Sequence, residues 1–310
     1  MQPAARRLVG VAGAAAVLLG VLCIGLVAVG HPSSAGAGAL TLPNAVPISA
    51  VRYGQPPLKV LLVGDSMAGS LGVGLGELAA AYNIRLANAG APGCSVSMDG
   101  QIFLTYSPAP PGPPCVLDRP NQLLSTWQRW VSVFRPDVVV YLARGDLINQ
   151  QLHGAWTNVG HRAFNQWLST RLRAAIGVFS SHGAKVVLMT VPMSEQRTVH
   201  SRPEDNAIRV ARGSAILRFV ARSSGRVATI YDLSRLLTPG LRYRASGGNV
   251  QLRCADGVHL TAEAGMVVAT DLFPRLWAIA ARHRAPGGGG WTSGGLPAAT
   301  PAWYSRLACG

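Results

Sequence analysis

The stretch LKVLLVGDSM, residues 58–67, decides the fold expected for this chain. Its opening residues are almost continuously apolar, which is typical of a short strand buried on both faces of a parallel sheet. Gly64 ends this strand, and Asp65 and Ser66 stand where a helix is expected to begin. Unpaired N–H groups at a helix start favour negative charge, so a serine hydroxyl here suits nucleophilic chemistry. A simple N-cap role explains the same two residues without any chemistry.

A second motif, far downstream, favours a catalytic role for Ser66 over a simple N-cap role. Asp256-Gly257-Val258-His259 precedes Leu260-Thr261 and a new helical pattern. An aspartate can orient an imidazole, and the imidazole can take the proton of a serine hydroxyl. The candidate catalytic residues are therefore Ser66, Asp256 and His259, in the chain order Ser…Asp…His.

These two motifs together resemble the SGNH/GDSL hydrolase superfamily, over about residues 57–284. The sequence DGVHLT is also similar to SGNH domains that are attached to, or work beside, membrane acyltransferases of bacterial surface glycans. The resemblance implies a flavodoxin-like three-layer α/β/α sandwich with a parallel sheet. It also implies a serine-dependent ester hydrolase or acyltransferase that needs no cofactor.

The chain from Leu58 alternates strand and helix patterns, as expected for an α/β domain with a parallel sheet. After the first strand, the expected strands are Ile84–Asn88, Asp137–Ala143, Ala184–Val191 and Arg226–Leu233. The expected helices are Ser70–Tyr82, Asn121–Phe134, Ala163–Phe179, Glu204–Val220 and Thr261–Ile279, the last with Thr261 as N-cap. Glycines in the first helix predict close packing on the sheet.

The N-terminal residues predict a membrane segment ahead of this domain. Arg6-Arg7 precede an apolar or small-residue run from Leu8 to Gly30, long enough to span a bilayer with the N-terminus cytoplasmic. A cleaved signal peptide is the alternative, since small residues such as Ala35-Gly36-Ala37 follow. The length favours an uncleaved anchor. Both interpretations place the rest of the chain outside the cytoplasm, in a single-pass or a secreted protein.

Composition divides the remaining chain and limits its partners. Residues 1–30 are expected to form the anchor, 31–56 a linker, 57–284 the SGNH-like domain and 285–310 a mobile Gly/Pro-rich tail. The net charge of +15, from 28 Lys and Arg against 13 Asp and Glu, suits anionic lipid or an acidic cell-wall polymer. Basic clusters interleaved with aromatics are absent, so nucleic acid is the least expected partner. The other histidines show no metal-ligand spacing, and no metal is expected.

The resemblance also implies an oxyanion hole. The sequence Asn88-Ala89-Gly90-Ala91-Pro92-Gly93 is similar to the family's N-x-G-x-x-G block. By that match, the N–H groups of Gly93 and Ser66 are donors to the oxyanion. An ordinary Gly–Pro turn would explain the same residues.

The third block departs from the family pattern. Where G-x-N-D is usual, this chain has Ala143-Arg144-Gly145-Asp146, so Gly145 stands at the place of an asparagine donor. A lost oxyanion donor costs roughly 3 kcal/mol in other enzymes. We expect Arg144 to compensate, because a guanidinium is a permanently charged donor. Asn149 is a fallback, and a weakened oxyanion hole is the remaining alternative.

Four of the five cysteines lie beyond the apolar N-terminal run and permit two disulfides in an oxidising compartment. A Cys94–Cys115 bridge would restrain a Pro-rich loop beside Gly93. Cys254 and Cys309 form the other candidate pair, although connectivity is left open by sequence.

The expected function is that of an extracytoplasmic serine esterase or O-acyltransferase. It would act on acyl esters, above all acetyl, of cell-envelope carbohydrate through an acyl-Ser66 intermediate. The expected partners are a carbohydrate or lipid ester substrate, the membrane through the N-terminal segment, and a membrane acyltransferase. One alternative is a secreted lipase or thioesterase of GDSL type. Another is a catalytically degenerate SGNH domain that binds glycan.

Overall fold

The computed structural model describes residues 55–97, 102–103, 108–109, 122–195, 203–281, 300–301, 303–307 and 309. The strands are β1 (Leu58–Gly64), β2 (Ile84–Gly90), β3 (Ile102–Phe103), β4 (Pro108–Ala109), β5 (Val138–Leu142), β6 (Gln150–Leu152), β7 (Ala155–Thr157), β8 (Lys185–Met189), β9 (Ala228–Tyr231), β10 (Ser246–Gly247) and β11 (Val250–Gln251). The helices are α1 (Ser66–Ala79), α2 (Gln122–Phe134), α3 (Arg162–Phe179), α4 (Ala207–Ser223), α5 (Leu233–Leu237) and α6 (Ala262–Ala281).

Five parallel strands form the central sheet in the order β2-β1-β5-β8-β9. All five residues of β5, VVVYL, are buried, as expected for a strand covered on both faces. Counted among these five strands alone, the order is the 2-1-3-4-5 of flavodoxin-like folds. The predicted α/β fold with a parallel sheet is confirmed.

Helices cover the sheet in two groups. Helix α1 packs against α6, whereas α3 packs against both α2 and α4. Right-handed crossovers place the connection from β1 to β2 and those from β5 to β9 on opposite faces of the sheet. The sheet therefore lies between two helical layers.

Two glycines let α1 and α6 approach closely. A Cβ at Gly74 would lie 2.6 Å from the Cα of Gly265, and a Cβ at Gly265 would lie 2.7 Å from the Cα of Gly74. No side chain fits between the helices at this point. The sequence predicted that glycines pack α1 on the sheet. Gly72 does so, since it faces the buried Asn88 of β2, whereas Gly74 faces α6.

Boundaries differ from the sequence predictions in a few places. Helix α1 begins at Ser66 rather than Ser70, because Asp65 caps it and the small residues after it continue the helix. Thr261 accepts a hydrogen bond from the Ala264 N–H over 3.0 Å, which confirms the N-cap predicted for α6. Two small antiparallel sheets, β4-β3-β6-β7 and β10-β11, were not predicted.

The predicted membrane segment (1–30) and nearly all of the predicted linker (31–56) lie outside the described residues. Among the residues that are described, α6 alone is long and apolar enough to cross a membrane by length and composition. Its Val268, Leu272 and Phe273 are fully buried in the domain core. Helix α6 is therefore explained as a core helix of this fold.

Candidate active site

Ser66 occupies the first position of α1, directly after β1. Gly64 has φ of +135°, and a Cβ there would clash with the carbonyl oxygen of Leu142, so glycine is required at this turn. The Asp65 carboxylate caps the helix by accepting the Met67 N–H over 2.9 Å. Ser66 is half-buried, and its own N–H has no acceptor within the helix because it lies in the first turn. Both its hydroxyl and its N–H are thus available to a substrate.

The DGVH segment forms a tight turn that pairs Asp256 with His259. One oxygen of Asp256 accepts the backbone N–H groups of Val258, at 2.8 Å, and His259, at 3.0 Å. The other carboxylate oxygen contacts His259 Nδ1. Gly257 has φ of +74°, a conformation that favours glycine. The turn therefore fixes the imidazole with Nδ1 toward the carboxylate and Nε2 away from it.

The charge on Asp256 suits this orienting role. Burial alone would raise the pKa of its carboxyl, but the hydrogen bonds from the His259 side chain and the two backbone N–H groups outweigh burial. They lower the pKa to about 2. The carboxylate is consequently ionised at neutral pH and stabilises a proton on His259.

A hydrogen bond places the segment after His259 beside the start of α1. The N–H of Leu260 donates to Ser70 Oγ over 3.1 Å, which joins the residue after His259 to the turn of helix after Ser66. The predicted serine, aspartate and histidine therefore lie at the same edge of the sheet, outside the carboxyl end of β1.

The C-terminal residues 303–309, which we call the C-terminal strap, were predicted to belong to a mobile tail, but their described part packs on this site. The indole of Trp303 lies against the imidazole of His259, with ring centroids 5.8 Å apart. Tyr304 donates its hydroxyl hydrogen to the Leu260 carbonyl over 3.3 Å. A disulfide joins Cys309 to Cys254, as the sequence suggested. Trp303 was missed, because a pattern of local residues gives no sign of this long-range contact.

The turn after β2 lies next to the turn that carries Ser66. The Ala91 N–H donates to the Gly64 carbonyl over 3.0 Å, and Gly93 has φ of +73°. Glycine at such a position allows the backbone to approach a substrate closely. The predicted donors Gly93 and Ser66 thus belong to neighbouring turns, and their role in an oxyanion hole remains a prediction.

The turn after β5 uses Gly145 and Arg144 within the protein. Gly145 donates its N–H to Asp65 Oδ2 over 2.6 Å. The Arg144 guanidinium is nearly buried and meets Ser194, Glu204 and Asp205, with one nitrogen directed to each. This arrangement does not support either residue as an oxyanion donor. It explains Arg144 as an anchor for the segment that leads into α4.

The fallback donor Asn149 is also engaged elsewhere. Its side-chain oxygen accepts from Arg209 Nη1 over 2.8 Å and from Asn158 Nδ2 over 3.1 Å. Both partners lie on the side of the loop that meets α4. The structure therefore gives no support to Asn149 as a substrate donor.

Asp146 belongs to a buried polar network behind this turn. Its carboxylate accepts the Tyr141 hydroxyl at 2.7 Å and the Ser97 N–H at 3.1 Å. Burial raises the pKa of Asp146 to about 6, even though these hydrogen bonds oppose the shift. Ser95 lies against the adjacent residue: a Cβ at Gly145 would be 3.0 Å from Ser95 Oγ. The network thus occupies much of the space into which a larger residue at 145 would extend.

Arg253 is a positioning residue that no sequence motif indicated. Its side chain is buried, and Nη1 donates to the Val258 carbonyl over 2.7 Å while Nη2 donates to the Met193 carbonyl. Burial lowers the pKa of Arg253 to about 10, so the group remains charged at neutral pH. It therefore ties the catalytic turn to the chain that follows β8. The sequence feature that could have indicated this role is its position directly before Cys254 and the DGVH motif.

Two further observations complete the chemistry of the site. Cys94 is disulfide-bonded, and its predicted partner, Cys115, lies outside the described residues. Within the part of the chain that the structure describes, no group of three or more His, Cys, Asp and Glu side chains is arranged to hold a metal ion.

The chain matches the family model described as "SGNH domain (fused to AT3 domains)" over residues 36–273. This match spans most of the 310 residues, and the chain belongs to the SGNH family. Membership defines it as a serine-dependent ester hydrolase or acyltransferase, which agrees with the Ser66, Asp256 and His259 arrangement. A comparison with curated proteins gives no match.

Several solved structures are similar to this chain at low identity. A GDSL-like lipase from Bacteroides thetaiotaomicron is 12% identical, with 72% of this chain and 92% of that chain covered and a TM-score of 0.48. A putative acylhydrolase from Bacteroides fragilis is 17% identical, with 79% and 98% covered and a TM-score of 0.47. An acetylxylan esterase from Geobacillus stearothermophilus, solved as a catalytic mutant, is 16% identical, with 71% and 94% covered and a TM-score of 0.43.

Proposed function

We propose that this protein is an extracytoplasmic serine esterase or O-acyltransferase that acts on acyl groups, above all acetyl, of cell-envelope carbohydrate. The observation that carries the proposal is the Asp256–His259 pair beside the helix that Ser66 begins. His259 Nε2 is buried without a hydrogen-bond partner among the described residues, and Nδ1 is taken by Asp256. A base in this state is ready to accept the proton of a serine hydroxyl.

The reaction follows from these groups. Ser66 Oγ attacks the ester carbonyl while its proton moves to His259 Nε2. The tetrahedral intermediate places its oxyanion toward the N–H groups of Ser66 and Gly93. Collapse breaks the bond to the leaving alcohol, which takes the proton from His259 and leaves an acyl-Ser66 ester. Water or a sugar hydroxyl then attacks this ester, gives its proton to His259, and the proton returns to Ser66 Oγ.

Three features support the proposed location and partners. The apolar run Leu8–Gly30 after Arg6-Arg7 suits an anchor or an export signal. The Cys254–Cys309 bridge suits an oxidising compartment. The family description mentions fusion to AT3 domains, so we infer that a membrane acyltransferase is a partner of this chain. A lipid ester remains the substrate of the alternative lipase or thioesterase function.

A fluorophosphonate probe tests the nucleophile directly. We expect the wild type to be labelled at Ser66, and Ser66→Ala and His259→Ala to lose labelling while keeping the wild-type melting temperature. Ser181→Ala is a matched control, because Ser181 is exposed and precedes β8 at the opposite edge of the sheet. An unlabelled wild type would favour the glycan-binding alternative without turnover.

The substrate is tested by mass spectrometry of the acyl-enzyme with acetyl and longer-chain donor esters. Accumulation of acetyl-Ser66 supports the carbohydrate-ester proposal, whereas a preference for long chains supports a lipase or thioesterase.

Protease accessibility in spheroplasts tests the location, since an extracytoplasmic domain is cleaved without lysis. Non-reducing peptide mapping of the exported protein should find Cys94 joined to Cys115.

A further inference from the structure

The C-terminal strap brings an aromatic side chain to the catalytic base from a distant part of the sequence. Trp303 packs on His259, and its ring also fills the space beside Gly69, where a Cβ would meet Trp303. Gly69 and Ser66 are three residues apart on α1 and share one face of the helix. The indole therefore contacts both the base and the helix that carries the nucleophile.

The strap is anchored on both sides of the catalytic turn. Cys309 is bonded to Cys254, two residues before Asp256, and Tyr304 donates to the carbonyl of Leu260, one residue after His259. Within the strap, the Arg306 N–H donates to the Trp303 carbonyl at 3.2 Å. Because both anchors belong to the segment that presents the base, Trp303 has a fixed place relative to His259.

The environment of the base shows what this placement does. His259 Nε2 is shielded from solvent and has no hydrogen-bond partner among the described residues. A buried nitrogen without a hydrogen-bond partner is unfavourable in a protein interior. Trp303 itself is only partly buried, so part of its side chain is open to solvent.

We propose that Trp303 is a specificity-determining residue that directs the acyl group of acyl-Ser66 to a carbohydrate hydroxyl in preference to water. This inference rests on the proposed function. Both acceptors must give a proton to His259 Nε2 as they attack the acyl carbon. Shielding by the indole hinders a freely diffusing water molecule. A sugar ring, by contrast, can pack its apolar face on the flat indole and hold one hydroxyl near the base.

The test measures how acyl-Ser66 divides between the two acceptors. The wild type, Trp303→Ala, Trp303→Phe and Cys309→Ser receive p-nitrophenyl acetate as donor and a soluble N-acetylglucosamine oligosaccharide as acceptor. Released acetate and acetylated sugar are both quantified. We expect Trp303→Ala to lower the ratio of transfer to hydrolysis by about tenfold, the discrimination that one apolar contact typically supplies. Trp303→Phe should stay near the wild type, and Cys309→Ser should lie between the two.

The outcomes separate this inference from the proposed function. An unchanged ratio in Trp303→Ala, with Ser66 still labelled by fluorophosphonate, overturns the role of Trp303 alone. A wild type that releases acetate but never acetylates the sugar also overturns it, while the esterase function stands. A wild type with neither labelling nor turnover removes the proposed function itself. If Trp303→Ala does not fold, Cys309→Ser decides, and an unchanged ratio there contradicts the inference.

Discussion

The Gly145 N–H donates to Asp65 Oδ2 over 2.6 Å and so ties the turn after β5 to the residue that precedes Ser66. The same carboxylate caps α1 through its other oxygen. The family pattern has an asparagine at this position. In this chain the position is Gly145, and its backbone N–H holds the turn that carries Ser66. A glycine suits this role, since Ser95 lies close to the position a Cβ would take.

Replacing Asp65 by asparagine tests this link. The cap at Met67 can be kept, but the amide NH₂ then faces the Gly145 N–H. We expect the free energy of unfolding to fall by about 1–3 kcal/mol, because a buried donor loses its acceptor. We also expect kcat to fall, because the Ser66 turn shifts. Urea denaturation and steady-state kinetics measure both effects.

Asp137→Asn is the matched control for that variant. Asp137 accepts the Lys59 N–H over 2.8 Å at the opposite end of β1. Its substitution should change stability but leave kcat unaltered. Equal losses of kcat in the two variants would contradict a special role for the Asp65–Gly145 bond.

Asp256→Asn should keep the shape of the DGVH turn but lose the correct orientation of His259. An asparagine oxygen can still accept the N–H groups of Val258 and His259, whereas its NH₂ would face His259 Nδ1. The imidazole is then driven to carry its proton on Nε2, the wrong tautomer for a base. We expect kcat to fall by about 10³–10⁴-fold with little change in melting temperature. A variant with kcat within tenfold of the wild type would show that another acceptor orients His259.

Arg144→Ala should damage stability more than chemistry. The substitution removes the guanidinium that pairs with Glu204 and Asp205, two acidic residues with little solvent exposure. We expect a loss of about 3–5 kcal/mol in the free energy of unfolding, as for other broken buried ion pairs. In the fraction that folds, kcat should stay within a few fold of the wild type. Active-site titration with fluorophosphonate supplies that fraction, and a strong fall in kcat per labelled site would restore Arg144 as an oxyanion donor.

Asp146 should give the folding equilibrium a measurable pH dependence. Its pKa is about 6 in the fold against an ordinary value of 3.8, so the folded state binds this proton more tightly. The corresponding stabilisation is complete below pH 3.8 and is lost as the pH rises through about 6. The difference amounts to about 3 kcal/mol.

Denaturation of the wild type and Asp146→Asn between pH 4 and pH 7 isolates this contribution. The free energy of unfolding of the wild type should decline over that range relative to the variant. Parallel curves for the two proteins would rule out Asp146 as the titrating group.

Much of the fold could be predicted because its signals are local. Apolar runs such as residues 138–142 identify the buried strands, and the periodic helices between them require a parallel sheet. The short strands β6 and β7 were not predicted, since three-residue strands carry too little pattern to be recognised. Helix α1 was started too late, because its first residues are small and lack an apolar period.

The site was predictable where chemistry and short spacing coincide. Asp256 and His259 lie three residues apart, and Ser66 follows a strand end, so each could be located from sequence. The roles of Arg144 and Trp303 depend on partners far away in the chain: Asp205 is 61 residues from Arg144. Such contacts are decided by the assembled fold, and no local pattern reports them.

The close contact of two glycines between α1 and α6 affects how Ser66 and His259 are positioned relative to each other. Helix α1 starts with Ser66, and α6 starts three residues after His259, so the spacing of these two helices affects the separation of the proposed nucleophile and base. Gly74 and Gly265 hold that spacing at backbone contact, two to three turns along α1 from the reacting atoms. A single methyl group added at either glycine would push the two helices apart, and Ser66 and His259 lie at the starts of the segments that would move. The lack of side chains at Gly74 and Gly265 thus lets α1 and α6 approach closely, and with them the segments that carry Ser66 and His259.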